Sequence, residues 1–121
     1  MTAIIFFGHG ARDIRWREPF DRLLDLWHEA YPKTRAELAF LELMTPSLKD
    51  CIGNLNNQGI REVKIIPVFF GQGGHLRNDF PVLLDECAQL FPEMRLSSSS
   101  AVGESDQVLQ AIIGFAMEAS L

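Results

Sequence analysis

Three side chains of metal-ligand type, His9, Glu42 and His75, each stand at or just beyond the end of an apolar segment. The segments at 3–7, 35–41 and 63–70 have the length and β-branched or alternating apolar character of buried strands. Two imidazoles and a carboxylate suit a divalent first-row metal and leave coordination positions open for a substrate. Neutral imidazole can also accept a proton near neutral pH. Two of the three histidines are framed by glycine, in Gly8-His9-Gly10 and Gly73-Gly74-His75. The third, His28, lies beside a helical stripe with no such neighbour and reads as structural or exposed. Glu42 has a second reading, as a surface carboxylate near a helix start, where negative charge is favourable anyway.

The most specialised stretch runs from Pro67 to Pro81. It starts as a strand and breaks at Gly71, Gly73 and Gly74, three glycines within four residues. Glycine permits positive φ and close backbone approach, so this loop is expected to fold tightly and present His75. Asp79 is the expected N-cap of the next helix, with Pro81 in its first turn.

The rest of the chain supplies the frame. Phe20, Leu23, Leu24, Trp27 and Tyr31 form a helical stripe after Pro19. Thr45-Pro46 reads as a cap and first helical position for a stripe of Leu48, Cys51, Ile52 and Leu55, ended by Gly59. Phe80, Leu83, Leu84, Cys87 and Phe91 make a third stripe. Residues 94–100 are a weaker fourth strand, because serines lower β-propensity. Glu104 or Ser105 caps a last helix with Val108, Ile112, Phe115 and Ala119 along one side. The order is βαβαβαβα, which implies an α/β fold: a four-stranded parallel sheet with helices on both faces and right-handed crossovers. In such a sheet ligands bind outside the carboxyl ends of the strands, and His9, Glu42 and His75 all fall on that rim.

Composition narrows the field. The 121 residues suit a single domain, 1–121, with 47% hydrophobic and 22% charged residues. A net charge of −5 argues against a nucleic-acid partner. No apolar run approaches the ~20 residues of a membrane helix, and the first residues lack the charged start of a signal peptide. Cys51 and Cys87 lie on apolar stripes and read as buried free thiols, so a cytoplasmic location is expected. No phosphate-binding Gly-x-x-x-x-Gly-Lys sequence, dinucleotide fingerprint or nucleophile elbow is present.

Three motifs carry a resemblance: Gly8-His9-Gly10-x-Arg12, Phe40-Leu41-Glu42-Leu43-Met44-x-Pro46 and Pro67-Val68-Phe69-x-x-x-Gly73-x-His75-x-x-x-Asp79-x-Pro81. They resemble the small class II tetrapyrrole chelatases, the sirohydrochlorin chelatase family that includes the short cobaltochelatases. One departure is Ala11, where that family often has serine; it removes a hydroxyl and leaves the metal-ligand residues in place. The resemblance implies a flavodoxin-like half-unit forming a single chelatase domain. It also implies ATP-independent insertion of Co²⁺, Fe²⁺ or Ni²⁺ into sirohydrochlorin, for cobalamin or siroheme synthesis, with Co²⁺ as the first expectation. The metal is then a substrate, and no organic cofactor is expected. His9 and His75 become metal ligands and proton acceptors, with Glu42 as third ligand or carboxylate partner. Arg12, Arg15, Arg77, Gly73 and Gly74 become the substrate-binding set, because the macrocycle is rich in carboxylates and arginine holds these in bidentate fashion. A homodimer is implied, since longer members carry two such units; Phe40, Leu43 and Met44 are candidates for the interface or for a macrocycle wall.

Two other readings use the same residues. Gly8-His9-Gly10 is similar to the Arg-His-Gly turn of histidine phosphatases, but position 8 is glycine and the phosphate-holding arginine is missing. A metal or tetrapyrrole carrier would bind without turnover.

Overall fold

The computed structural model describes residues 2–121, the side chain of His75 excepted. Four strands, β1 (Thr2–Gly8), β2 (Arg35–Phe40), β3 (Glu62–Pro67) and β4 (Arg95–Ser98), alternate with four helices, α1 (Glu18–Ala30), α2 (Leu48–Asn57), α3 (Gly74–Leu90) and α4 (Asp106–Ala119). Short 3-10 turns at Ile14–Arg17 and Val102–Glu104 precede α1 and α4. Every strand pairing is parallel, in the order β2-β1-β3-β4. The expected α/β class and element order are borne out.

The two sheet faces are covered unequally. On one, Ala3, Ile5 and Phe7 of β1 and Val63 and Ile65 of β3 are sealed beneath Leu48, Cys51, Ile52 and Leu55 of α2 and Leu76, Phe80 and Cys87 of α3. Phe7 stacks on Phe80 at 5.4 Å and meets Phe69 edge-on at 5.7 Å. On the other, Phe6, Ala36, Leu38 and Phe40 pack against Phe20, Leu23, Leu24 and Trp27 of α1. Trp27 satisfies its indole by donating to the Thr34 carbonyl at 3.0 Å. Both thiols are buried and unpaired, and desolvation pushes Cys51 up to about 12, so it is inert packing.

Several boundaries differ from the sequence reading. Helix α3 begins at Gly74, capped by the extended Gly73, and Asp79 and Pro81 lie inside it. Burial decides this: Leu76 and Phe80, four residues apart on one face, anchor the first turns in the core, which outweighs the hydrogen bond that Pro81 forfeits. Helix α2 is capped by Ser47, whose hydroxyl accepts from the Asp50 N–H at 3.1 Å. Pro46 closes the strand before it, its carbonyl accepting from the Phe40 N–H at 2.9 Å. Strand β3 stops at Pro67, and Phe70 turns outward, 68% exposed. The stripe expected on α4 buries none of its residues; Phe115 is 74% exposed. Gly59, with φ +86°, does end α2 as expected.

Candidate metal and substrate site

Strand β1 is flanked by β2 and β3, so the sheet changes winding direction between β1 and β3. The crevice at such a switch point is where open parallel sheets take ligands. A cavity of about 440 Å³ lies there, lined by His9, Val68, Phe69, Phe70, Gly71, Gly73, Gly74 and Leu76. A second hollow of about 420 Å³, between α2 and Phe91, holds no histidine.

Backbone pairing continues past the strand ends and fixes the first two ligand candidates side by side. The Leu41 N–H donates to the Gly8 carbonyl at 2.9 Å, and the Glu42 N–H to the His9 carbonyl at 3.1 Å. The side chains then meet, His9 Nε2 standing 3.4 Å from Glu42 Oε1, both about half exposed. The His9 ring is also held edge-on to Phe69 at 6.2 Å. Gly10 makes the approach possible. Its φ is +97°, and a Cβ there would sit 1.8 Å from the Glu42 carbonyl oxygen. The loop after β2 is clamped from outside by Arg17, which donates to the Thr45 carbonyl at 2.9 Å and lies 5.0 Å over the Phe40 ring.

The third ligand candidate, His75, is the second residue of α3, and its side chain lies outside the described residues. Among the described residues no three ligand-type side chains gather. The tight folding expected of Gly71, Gly73 and Gly74 takes another form. None of the three has positive φ, and a Cβ on any of them would meet nothing within 4 Å. They keep the backbone at the start of α3 open, where the first helical N–H groups lack intrahelical partners.

The arginines divide. Arg12 is exposed beside the His9 turn. Arg15 is held by Asp13 at 2.7–3.2 Å, a pairing that also pulls the Asp13 carboxyl below its usual range. Any other carboxylate would have to displace Asp13 to reach Arg15. Arg77 donates from Nε to the Gln72 carbonyl at 3.3 Å, so it touches the glycine loop itself.

One part of the site left no signal in the sequence. The turn after β4 reaches under the glycine loop: the Gly103 N–H donates to the Phe69 carbonyl at 3.0 Å, and Gln72 donates to Glu104 at 3.3 Å. A Cβ on Gly103 would stand 1.6 Å from the Phe70 carbonyl oxygen. Gly103→Ala should therefore loosen residues 70–74, read as faster amide exchange there. Gly114→Ala, with nothing within 4 Å of its added carbon, should not. Equal exchange in both variants would remove Gly103 as the brace.

The model of the CbiX family matches residues 3–118. The chain belongs to the CbiX family. This bears out the resemblance drawn from the three motifs. Among CbiX-type relatives, the sirohydrochlorin cobaltochelatase of Methanopyrus kandleri is 26% identical over 84 residues, 69% of this chain and 59% of that one. The sirohydrochlorin ferrochelatase of Bacillus subtilis is 24% identical over 110 residues, 91% of this chain and 42% of that one. The chain thus spans 36–64% of the length of these two and six further curated relatives that it matches. A solved CbiX protein of Marinobacter aquaeolei VT8 superposes with a TM-score of 0.84 at 26% identity, covering 98% of this chain and 94% of that one. The sirohydrochlorin chelatase SirB of Bacillus subtilis subspecies spizizenii, solved in complex with cobalt, shares the fold with a TM-score of 0.80 at 22% identity, over 97% of this chain and 50% of that one.

Proposed function

We propose that this chain is a sirohydrochlorin chelatase, inserting a divalent metal into the tetrapyrrole without ATP. The observation that carries the reading is the His9–Glu42 pair, 3.4 Å apart at the switch point and beside the loop that leads into His75. Membership of the CbiX family supports it, as do relatives named for cobalt and for iron insertion. The metal is a substrate here. Co²⁺ is the proposed physiological ion, with Fe²⁺ and Ni²⁺ as competitors, and the work is placed in cobalamin or siroheme synthesis. Two buried free cysteines suit a reducing cytoplasm.

Insertion needs a metal held with labile positions and the loss of two pyrrole protons. His9 and His75 supply neutral nitrogen, and Glu42 beside His9 either ligates or orients that ring. Phe69, Phe70 and Val68 offer an apolar wall to the macrocycle. Arg12 and Arg77 reach for its carboxylates, helped by the open backbone at Gly73 and Gly74.

The two arginines should separate kinetically. Arg12→Ala is expected to raise KM roughly ten- to a hundredfold while leaving kcat nearly unchanged, since a lost charge-assisted bond costs ~1.5–3 kcal/mol and binds ground and transition states alike. Arg77→Ala should also lower kcat, because Arg77 braces Gln72 in the loop before His75. Anaerobic steady-state absorbance with sirohydrochlorin and each metal in turn provides both constants. No insertion with any of the three metals would sink the reading; an unchanged KM in Arg12→Ala would place the carboxylates elsewhere on the rim.

A further inference from the structure

The turn that follows Glu42 is under strain. Leu43 has φ +66°, and among the described residues it is the one non-glycine with positive φ. The Met44 N–H donates to the Glu42 carbonyl at 2.8 Å, so the chain reverses over three residues around Leu43. A three-residue turn with positive φ at its centre is the rare and strained form of the γ-turn. Leucine has no polar side chain to offset a left-handed backbone, and glycine would take it without steric cost. Burial does not offset it either. Leu43 is 58% exposed, while Leu41 and Met44 nearby pack against the two cores. Strain of this kind persists only where the surroundings hold it.

The two ends of the turn are held differently. Upstream, the Glu42 N–H donates to the His9 carbonyl at 3.1 Å, and the Glu42 carbonyl lies against Gly10. Downstream, the base of the loop is tied by the Phe40 N–H to the Pro46 carbonyl, and the Thr45 carbonyl accepts from Arg17 Nη1 at 2.9 Å. Among the described residues, that is the one side-chain hydrogen bond reaching residues 41–46 from elsewhere in the chain. Arg17 is itself well fixed. Its Nε donates to Asp21 at 3.1 Å, its guanidinium lies 5.0 Å over the Phe40 ring, and its side chain is 29% exposed. One planar group thus joins the start of α1, the end of β2 and the loop beyond it. Lysine has neither the fork nor the flat face for this.

We propose that Arg17 is a positioning residue for Glu42. Its bond to the Thr45 carbonyl keeps the strained turn at Leu43 shut, and the shut turn keeps the Glu42 carboxylate 3.4 Å from His9. Strain is what carries the effect along the loop. A relaxed turn would stay in place when Arg17 lets go, whereas a strained one opens downhill and moves the residue beside it. No hydrogen bond or ion pair among the described residues joins Arg17 to His9 or Glu42, so its influence on the site passes through the loop. The consequence for metal insertion rests on the chelatase reading; the hold on Glu42 does not.

The test is a double substitution read by Co²⁺ binding, with turnover as a second measurement. Arg17→Met is expected to weaken Co²⁺ binding to the full chain about tenfold by isothermal titration, the scale of losing an outer partner of a metal site. It should lower kcat and leave KM for the tetrapyrrole nearly unchanged. Arg17→Lys should recover only part of the loss, and it carries the same comparison should Arg17→Met fail to fold. In a Leu43→Gly background the turn stays shut without strain, so Arg17→Met should there weaken Co²⁺ binding only about twofold. An equal loss in both backgrounds, or none in either, would overturn the proposal. So would a raised KM with unchanged Co²⁺ binding, which would make Arg17 a holder of substrate carboxylates. A wild-type chain that binds Co²⁺ without inserting it removes the chelatase reading, and the two backgrounds still decide the role of Arg17. A chain that binds no Co²⁺ would overturn both.

Discussion

His9→Ala and His75→Ala are each expected to lower metal insertion by about a hundredfold or more, the scale of losing a positioned proton acceptor or ligand. The His9 substitution should achieve this without unfolding the protein. Its side chain is about half exposed, meets Phe69 only by its edge, and contacts Glu42 at 3.4 Å. Surface changes of this kind usually stay within about 0.5 kcal/mol of wild-type stability. Glu42→Gln should fall between wild type and His9→Ala, since the amide preserves a contact with the ring and loses the charge. Insertion by His9→Ala at the wild-type rate, with the same melting temperature, would remove His9 from the chemistry. For His75 the expectation rests on the motif and on its place at the start of α3.

The second large effect belongs to Gly10. Gly10→Ala is expected to damage stability and site together, because two costs fall on one residue. A side chain at φ +97° is strained by ~1–3 kcal/mol whatever surrounds it. The added carbon would in addition lie 1.8 Å from the Glu42 carbonyl oxygen, a backbone atom that cannot swing aside. The loop after β2 must move, and Glu42 moves with it away from His9. Gly59 provides the matched control. Its φ is +86°, yet a Cβ there meets nothing within 4 Å, and it ends α2 far along the chain from the site. Gly59→Ala should cost only the backbone strain and leave insertion unchanged. Thermal melts and insertion rates of both variants decide the matter; equal melting shifts with equal insertion would contradict the close approach of the two loops.

The fold was largely legible because apolar periodicity and strand-helix alternation reflect burial directly. Alternating strands and helical stripes located all eight main elements, and the rim position of His9 and Glu42 followed from parallel topology alone. Boundaries were legible only where local chemistry acts alone, as at Gly59. At α3 the capping residues Asp79 and Pro81 suggested a start that the burial of Leu76 and Phe80 overrode. At α2 the Thr45-Pro46 pair imitated a cap, while Ser47 had the hydroxyl in reach of a free N–H. The glycines whose conformation is forced lie in other loops than the sequence suggests. The conspicuous cluster at Gly71, Gly73 and Gly74 is sterically unforced, whereas Gly10 and Gly103 are glycines because another segment's backbone lies against them. Such contacts join residues 32 or more positions apart, and no local pattern encodes them. The α4 stripe is apolar as its periodicity predicts, but periodicity does not say what, if anything, a helix packs against, and none of its residues is buried.

Turnover is the most direct test of chelatase activity. Wild-type chain is incubated anaerobically with a large molar excess of sirohydrochlorin and Co²⁺, and metallated product is followed by absorbance against a protein-free control. The expected result is many equivalents of product per chain, formed faster than in the control and lost in His9→Ala. Product that stops at one equivalent per chain, or a rate equal to the control while metal and tetrapyrrole still bind, would contradict catalysis and leave a carrier built on the same residues.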